Sequence, residues 1–217
     1  MSYADTMAAM NAKRAEITAI QAQMRELQAK VEPQEVQDYV LAGWNGPVQL
    51  SELFGSKRDL IVIHNMGVGC PACTMWADGF NGVYDHLAAR AAFVLVSPNP
   101  VEVQQKFAAG RGWRFPMVSY DGSTFAEDMG YREGGDPLDD KLGGWNPGVS
   151  TFRREGNRIW RLSDTEFGPG DDFCVVFHLF DLIPDADPAW RPRYSYALEN
   201  APTPAPSLSP AGSSGLT

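Results

Sequence analysis

The sequence predicts an α/β fold with a mixed central sheet and an added N-terminal helix, and three observations carry that prediction. Two short runs of β-branched and apolar residues, Leu60-Ile61-Val62-Ile63 and Phe93-Val94-Leu95-Val96, have the length and texture of buried strands. Helix-periodic stretches from Pro71 to Arg90 and from Asn99 to Gly110 alternate with them and with a third strand over Phe115 to Tyr120. Strand, helix, strand, helix, strand implies right-handed crossovers and parallel pairing. Finally, Val149-Ser150-Thr151-Phe152 and Arg158-Ile159-Trp160-Arg161-Leu162 flank Glu155-Gly156-Asn157, a hairpin signal that ends the sheet in an antiparallel pair.

Taken in order, residues 5 to 31 place Met10, Ile17, Ile20, Met24, Leu27 and Val31 at three- and four-residue steps among helix formers, and Pro33 closes the run. Such a stripe must dock either on this domain's own sheet or on the same helix of a second subunit, which makes a homodimer through residues 1–33 one expectation. Gly43-Trp44-Asn45-Gly46-Pro47 is turn chemistry, and Val48 to Phe54 reads as an extended piece entering one helical turn. In the helix after the first strand, Trp76, Phe80, Val83, Tyr84 and Leu87 share a face. Asn99-Pro100-Val101-Glu102 supplies an N-cap, a first-turn proline and a glutamate three residues after the cap. Residues 121 to 148 are rich in Gly and acid, with the length of a lid or a partly helical insertion. Asp171, Phe173, Val176, Phe177 and Phe180 predict a terminal helix carrying Cys174. The Pro-, Ser- and Gly-rich end beyond Pro202 lacks the apolar residues for a core and reads as a disordered tail over 201–217, leaving 44–190 as the folded domain.

Composition narrows the function. At 217 residues, 44% hydrophobic and 21% charged, the chain holds one domain with a substantial core. A formal charge of -9 disfavours nucleic acid and anionic membrane as partners, since both require clustered Lys and Arg. No stretch approaches the roughly 18 apolar residues of a membrane span. The start of the sequence lacks a basic segment followed by an apolar run, so the expected location is the cytoplasm. Three cysteines in that compartment are too few for a disulfide scaffold.

Two of those cysteines, in Gly69-Cys70-Pro71-Ala72-Cys73, sit where the first strand gives way to helix. Cys70 is then expected at the N-cap and Pro71 at the first helical position, where a missing N–H costs nothing. Unpaired backbone N–H groups and the helix dipole lower the Cys70 thiol pKa and make it the nucleophile. Cys73, one turn later, is placed to attack the mixed disulfide and release product. The competing reading is half of a zinc site. Zinc normally takes four ligands, and the chain offers no second Cys pair and only His64, His86 and His178, so neither a metal nor any other cofactor is expected.

The order of elements and the place of the dithiol resemble the thioredoxin superfamily over residues 48 to 183, which implies a three-layer α/β/α arrangement. More narrowly, Leu53-Phe54, Leu60-Ile61-Val62, Gly69-Cys70-Pro71-Ala72-Cys73, Ala77-Asp78-Gly79-Phe80-Asn81-Gly82, His86-Leu87, Gly112-Trp113 and Phe115-Pro116 are similar to a bacterial thioredoxin-like family long catalogued as a domain of unknown function. That family is predicted to contain dithiol-disulfide oxidoreductases. The resemblance implies a disulfide-containing substrate, protein or small molecule, and a thiol reductant. Thioredoxins place a cis-proline just before the strand that corresponds here to 149–153, and Pro147 is the nearest candidate. His64 falls at the position of their buried acid, giving the expectation of a neutral imidazole serving Cys73 as base, against a buried histidine that only packs. Trp76, Asp78 and Trp113 are candidates for a substrate-binding surface, against core anchoring and solvation.

Phe115-Pro116-Met117-Val118-Ser119-Tyr120-Asp121-Gly122 also resembles the alkyl hydroperoxide reductase and thiol-specific antioxidant branch. Peroxidases of that branch need a threonine three residues before the peroxidatic cysteine and a proline four residues before that. Counted from Cys70, these slots hold Gly67 and Ile63; counted from Cys73, they hold Cys70 and Met66. Peroxide reduction is therefore the second enzymatic reading, and a thioredoxin-fold adaptor without catalysis is the third.

Overall fold

The central strands form where the sequence concentrates apolar residues, and pairing with their neighbours gathers all the strands into one eight-stranded sheet. The computed structural model describes residues 2–132, 143–183 and 189–196. In chain order the strands are β1 (Gln34–Val36), β2 (Val40–Gly43), β3 (Gly46–Gln49), β4 (Asp59–His64), β5 (Ala92–Ser97), β6 (Met117–Ser119), β7 (Gly148–Glu155) and β8 (Arg158–Glu166). The helices are α1 (Tyr3–Gln28), α2 (Pro71–Arg90), α3 (Val101–Arg111), α4 (Phe125–Asp128) and α5 (Val175–Phe180), with a 3-10 turn over Glu52–Phe54. The strands run in the order β1-β8-β7-β4-β5-β6-β2-β3. β4, β5 and β6 pair in parallel, and every other pairing is antiparallel. The expected mixed α/β sheet with its N-terminal helix is present.

Alternation along the strands divides the core. Leu60 and Val62 of β4 face a cluster with Val94, Val96, Val118, Phe125 and Phe152, covered by α4 and the 3-10 turn. Ile63 faces the other way, into a cluster with Trp76, Ala77 and Phe80 of α2, Ala108 of α3, Phe167 and Cys174. The helices of both parallel crossovers thus lie on one face. Gly156, at φ 62°, makes the tight turn between β7 and β8 that the sequence predicts.

Three expectations change. Gly43 to Pro47 is more than a turn: β2 and β3 form a hairpin about Trp44-Asn45, and Pro47 is tolerated because β3 is an edge strand. Cys174 caps α5 rather than lying within it. The stripe on α1 does not dock on the sheet. None of the helix is buried, and Ile17, Ile20, Met24 and Leu27 are exposed. Polar contacts hold it instead: Gln28 Nε2 donates to the Leu162 carbonyl at 3.0 Å, Ser163 Oγ donates to Gln28 Oε1 at 2.7 Å, and Gln21 reaches Asp172 at 3.3 Å. Residues 133–142 of the 121–148 insertion and the tail at 201–217 lie outside the described residues.

Candidate functional site: a buried dithiol at the N-terminus of a helix

The turn between β4 and α2 is built by two asparagines and one glycine. Asn65 N–H continues the parallel ladder to the Val96 carbonyl at 2.9 Å, and its buried side chain then folds over the turn. Asn65 Oδ1 accepts the Gly67 N–H at 2.7 Å and Nδ2 donates to the Cys73 carbonyl at 3.4 Å. Asn99, from the β5–α3 connection, accepts the Val68 N–H on Oδ1 at 2.8 Å. Gly67 sits at φ +98°, where a Cβ would run into Asn99 Oδ1, so both backbone conformation and space demand glycine. The expected N-cap role of Asn99 is therefore corrected. Its side chain is spent on this turn, and Pro100 occupies the cap of α3 without a side-chain bond.

Cys70 is the N-cap of α2 with Pro71 at the first position, as the spacing predicts. Cys70 Sγ accepts the Cys73 N–H at 3.0 Å, and the Cys70 carbonyl receives both the N–H and the hydroxyl of Thr74, at 3.1 and 3.0 Å. Both thiols are free, and each cysteine is only 3% exposed. The hydrogen bond from the Cys73 thiol holds the Cys70 pKa below its ordinary value, with the N–H groups of Cys73 and Ala72 helping and burial opposing. The same contact, then burial and the neighbouring charge, drive the Cys73 thiol far up. One sulfur is prepared to carry charge and the other to keep its proton. Among the described residues no group of three His, Cys, Asp or Glu side chains forms a metal-holding cluster.

Of the other predicted site residues, His64 lies on the far face of β4. Burial holds its pKa well below the ordinary range, so the ring is neutral. Its Nδ1 pairs with Tyr120 Oη at 2.5 Å and its Nε2 with Ser150 Oγ at 2.9 Å, while the ring stacks on Tyr131 at 3.6 Å. Both nitrogens are committed away from Cys73, which replaces the expected base with a packed, hydrogen-bonded histidine. Pro147 follows a trans peptide bond, since no cis bond occurs among the described residues. Its carbonyl accepts the Phe167 N–H at 2.9 Å, which ties the start of β7 to the end of β8.

Trp76 is buried, stacks on Phe167 at 5.7 Å, and donates its indole N–H to Asp171 at 3.1 Å. It anchors the segment leading into α5 and presents no binding surface. Asp78 accepts from Arg111 Nε at 3.0 Å, from Arg111 Nη2, and from the Trp113 indole at 2.8 Å. Trp113 packs between Phe107 and Phe115. Asp78 and Trp113 thereby join α2 to the end of α3. The residue that sequence reasoning misses is Tyr194: its hydroxyl donates to the Val68 carbonyl at 2.9 Å, two residues before Cys70. A lone tyrosine in a Pro- and Arg-rich segment carries no sequence signal of that kind. Beside Val68 opens a groove of about 670 Å³, lined by Val103, Phe107, Gly110, Lys106, Glu102 and Arg111.

Solved structures to which this chain is similar include peroxiredoxins. Reduced Prx3 in complex with hydrogen peroxide from Vibrio vulnificus is 15% identical over 65% of this chain and 90% of its own, with a TM-score of 0.50. Peroxidoxin BcpB from Mycobacterium tuberculosis is 28% identical over 62% of this chain and 84% of its own, with a TM-score of 0.49. Peroxiredoxin Q from Xanthomonas campestris is 19% identical over 58% of this chain and 78% of its own, also with a TM-score of 0.49. The architecture is thus a thioredoxin-like fold of the peroxiredoxin type. No curated protein matches the chain. No helix among the described residues is long and apolar enough to cross a membrane. A family model described as "Bacterial protein of unknown function (DUF899)" matches residues 3–192, and the chain belongs to that family.

Proposed function

We propose that the protein is a dithiol-disulfide oxidoreductase with Cys70 as nucleophile and Cys73 as resolving thiol. The observation that supports it is the unequal pair at the helix N-terminus: Cys70 Sγ held by the Cys73 N–H at 3.0 Å with its pKa lowered, beside a Cys73 whose pKa is raised. A thiolate attacks and a thiol waits, which is the order that exchange requires.

In the first step the Cys70 thiolate attacks one sulfur of a substrate disulfide. A Cys70–substrate disulfide forms, the substrate S–S bond breaks, and the other substrate sulfur leaves as thiolate. That step removes the negative charge from Cys70, and with it the main reason for Cys73 to keep its proton. Cys73 gives its proton to the departing thiolate or to solvent and attacks Cys70 Sγ. The internal disulfide forms and the second substrate thiol leaves. The substrate gains two electrons and the dithiol loses two, and an external thiol reductant restores it.

The positions that would serve a peroxide, three and seven residues before Cys70, hold Gly67 and Ile63. Gly67 carries no side chain and its N–H is bonded to Asn65, while Ile63 points into the core beneath α2. These occupants favour disulfide over peroxide as the electrophile. The test is coupled disulfide-reduction kinetics on wild type, Cys70→Ser and Cys73→Ser, with peroxide turnover measured in parallel. The expected result is no turnover for Cys70→Ser and a trapped mixed disulfide for Cys73→Ser. Equal activity in all three proteins, or catalytic turnover of peroxide with none of disulfide, would overturn the reading.

A further inference from the structure

The segment before the tail runs across the amino end of α2. Trp190 lies against Phe177 and Phe180 of α5, with ring centroids 6.1 and 4.9 Å apart, on the side of α2 that Trp76 anchors. Four residues later Tyr194 lies on the opposite side, where Asp78 joins α2 to α3. Its ring meets Phe107 edge-on at 6.3 Å, its carbonyl accepts from Arg111 Nη1 at 2.7 Å, and its hydroxyl donates to the Val68 carbonyl at 2.9 Å. Through Val68 this second anchor meets the turn that delivers Cys70, a residue only 3% exposed although exchange requires an open line of approach to its sulfur. After burial, the charge of the Cys70 thiolate adds to the rise in the pKa of the Tyr194 phenol.

We propose that the segment 190–194 is a strap that occupies the place of an extended substrate peptide, with Tyr194 as the gate that a protein disulfide must displace to reach Cys70. This rests on the dithiol reading above and adds the class of substrate. Tyr194 engages the Val68 carbonyl and the Arg111 guanidinium, which are partners an extended chain can use: an amide N–H for the first and a carbonyl for the second. Lifting Tyr194 frees both, together with the apolar wall of Val103 and Phe107 in the adjoining groove. A low-mass electrophile can reach the sulfur past the seated phenol, whereas a polypeptide disulfide must displace the phenol from Val68 and the ring from Phe107. The gate thus discriminates by size.

The experiment measures the rate constant of Cys70 modification in the full chain with two reagents, iodoacetamide and a maleimide on a polyethylene glycol chain, read by peptide mass. It compares wild type, Tyr194→Phe and Tyr194→Ala across pH. Loss of the hydrogen bond and the ring contact together predicts roughly tenfold faster modification by the bulky reagent in Tyr194→Ala, and loss of the hydrogen bond alone a smaller gain in Tyr194→Phe. Iodoacetamide should change by less than about threefold, and the pH midpoint should stay in place. Equal bulky-reagent rates in all three proteins would overturn the gate. So would equal acceleration by both reagents with a moved midpoint, because Tyr194 would then tune the thiolate instead of covering it. The measurement needs no turnover, so loss of the gate and failure of the exchange reading leave separate signatures. Tyr194→Phe keeps the ring, and so keeps the test readable should the alanine variant fail to fold.

Discussion

Asn99 Oδ1 accepts the Val68 N–H at 2.8 Å, so a residue just past the end of the second parallel strand fixes the peptide two positions before Cys70. Asn65 does the same from the first strand, through Gly67. The placement of Cys70 is therefore set by the pairing of β4 with β5, and not by the helix alone.

Gly67→Ala should be the most damaging small change outside the cysteines. It forces an L-residue to φ +98° and drives a methyl group into Asn99, with an expected cost of about 1–3 kcal/mol in urea unfolding. Asn99→Ala, which removes one bond without adding a clash, should cost about 1 kcal/mol and slow Cys70 alkylation.

The alkylation rate of Cys70 should titrate below the ordinary thiol range of about 8.5. Cys73→Ala removes the largest lowering influence, the Cys73 thiol, and should move that midpoint up, whereas Cys73→Ser keeps a donor and should move it less. The linkage has a definite sign. Because the folded pKa is depressed, the unfolded chain holds the extra proton between that pKa and about 8.5, so this group's contribution to stability grows with pH across the window and is lost as pH falls through the folded value. Unfolding free energy of Cys70→Ser compared with wild type against pH checks it.

His64→Gln should separate stability from chemistry. It disturbs a fully buried ring bonded to Tyr120 and Ser150, at an expected cost of about 1–3 kcal/mol. The midpoint of Cys70 alkylation should not move, because the imidazole touches neither sulfur. In wild type the depressed His64 pKa means that only the unfolded chain takes up the proton below about 6.5. Stability should then fall by up to about 1.4 kcal/mol per pH unit on acidification, and a variant lacking the imidazole should lose that slope.

Asp78→Asn weakens the join between α2 and α3. Arg111 and Asp78 are partly exposed, at 25% and 36% of their side chains, so solvent screens the pair and the expected loss is about 1 kcal/mol. Thermal unfolding should show it, together with faster bulky-reagent access to Cys70, since Arg111 also holds the Tyr194 carbonyl.

Ile20→Glu should leave the monomer's unfolding free energy within about 0.5 kcal/mol of wild type, because the side chain is 55% exposed. The homodimer through α1 is a proposal that the same variant tests by sedimentation. A wild-type dimer that becomes monomeric with Ile20→Glu supports a second copy on the stripe, and an unchanged monomer refutes it.

Much of the fold is legible in the sequence wherever local chemistry and tertiary context agree. β4, β5 and α2 carry long apolar signals, and Cys70-Pro71 at a strand end marks its own helix start. β1 to β3 give weak signals because they are only three or four residues long, and the two borders of the sheet, β1 and β3, need few β-branched residues. The role expected of His64 came from analogy with the buried acid of thioredoxins, although strand alternation puts it with Leu60 and Val62 and against Ile63. Asn99 reads equally well as a cap or as a long-range acceptor, and only the approach of Val68 decides. Trp76, Asp78 and Trp113 stand out in the sequence, but sequence cannot distinguish a tryptophan that faces a ligand from one that faces Phe167.

The two ends of the sheet bear on how the chain avoids edge-to-edge association. One border is the three-residue β1 and the other is β3, which carries Pro47. A border that is very short, or that lacks an N–H, offers a poor template for a further strand. The sheet is thereby guarded against taking on a further strand at its margins, where an added chain would stay as aggregate.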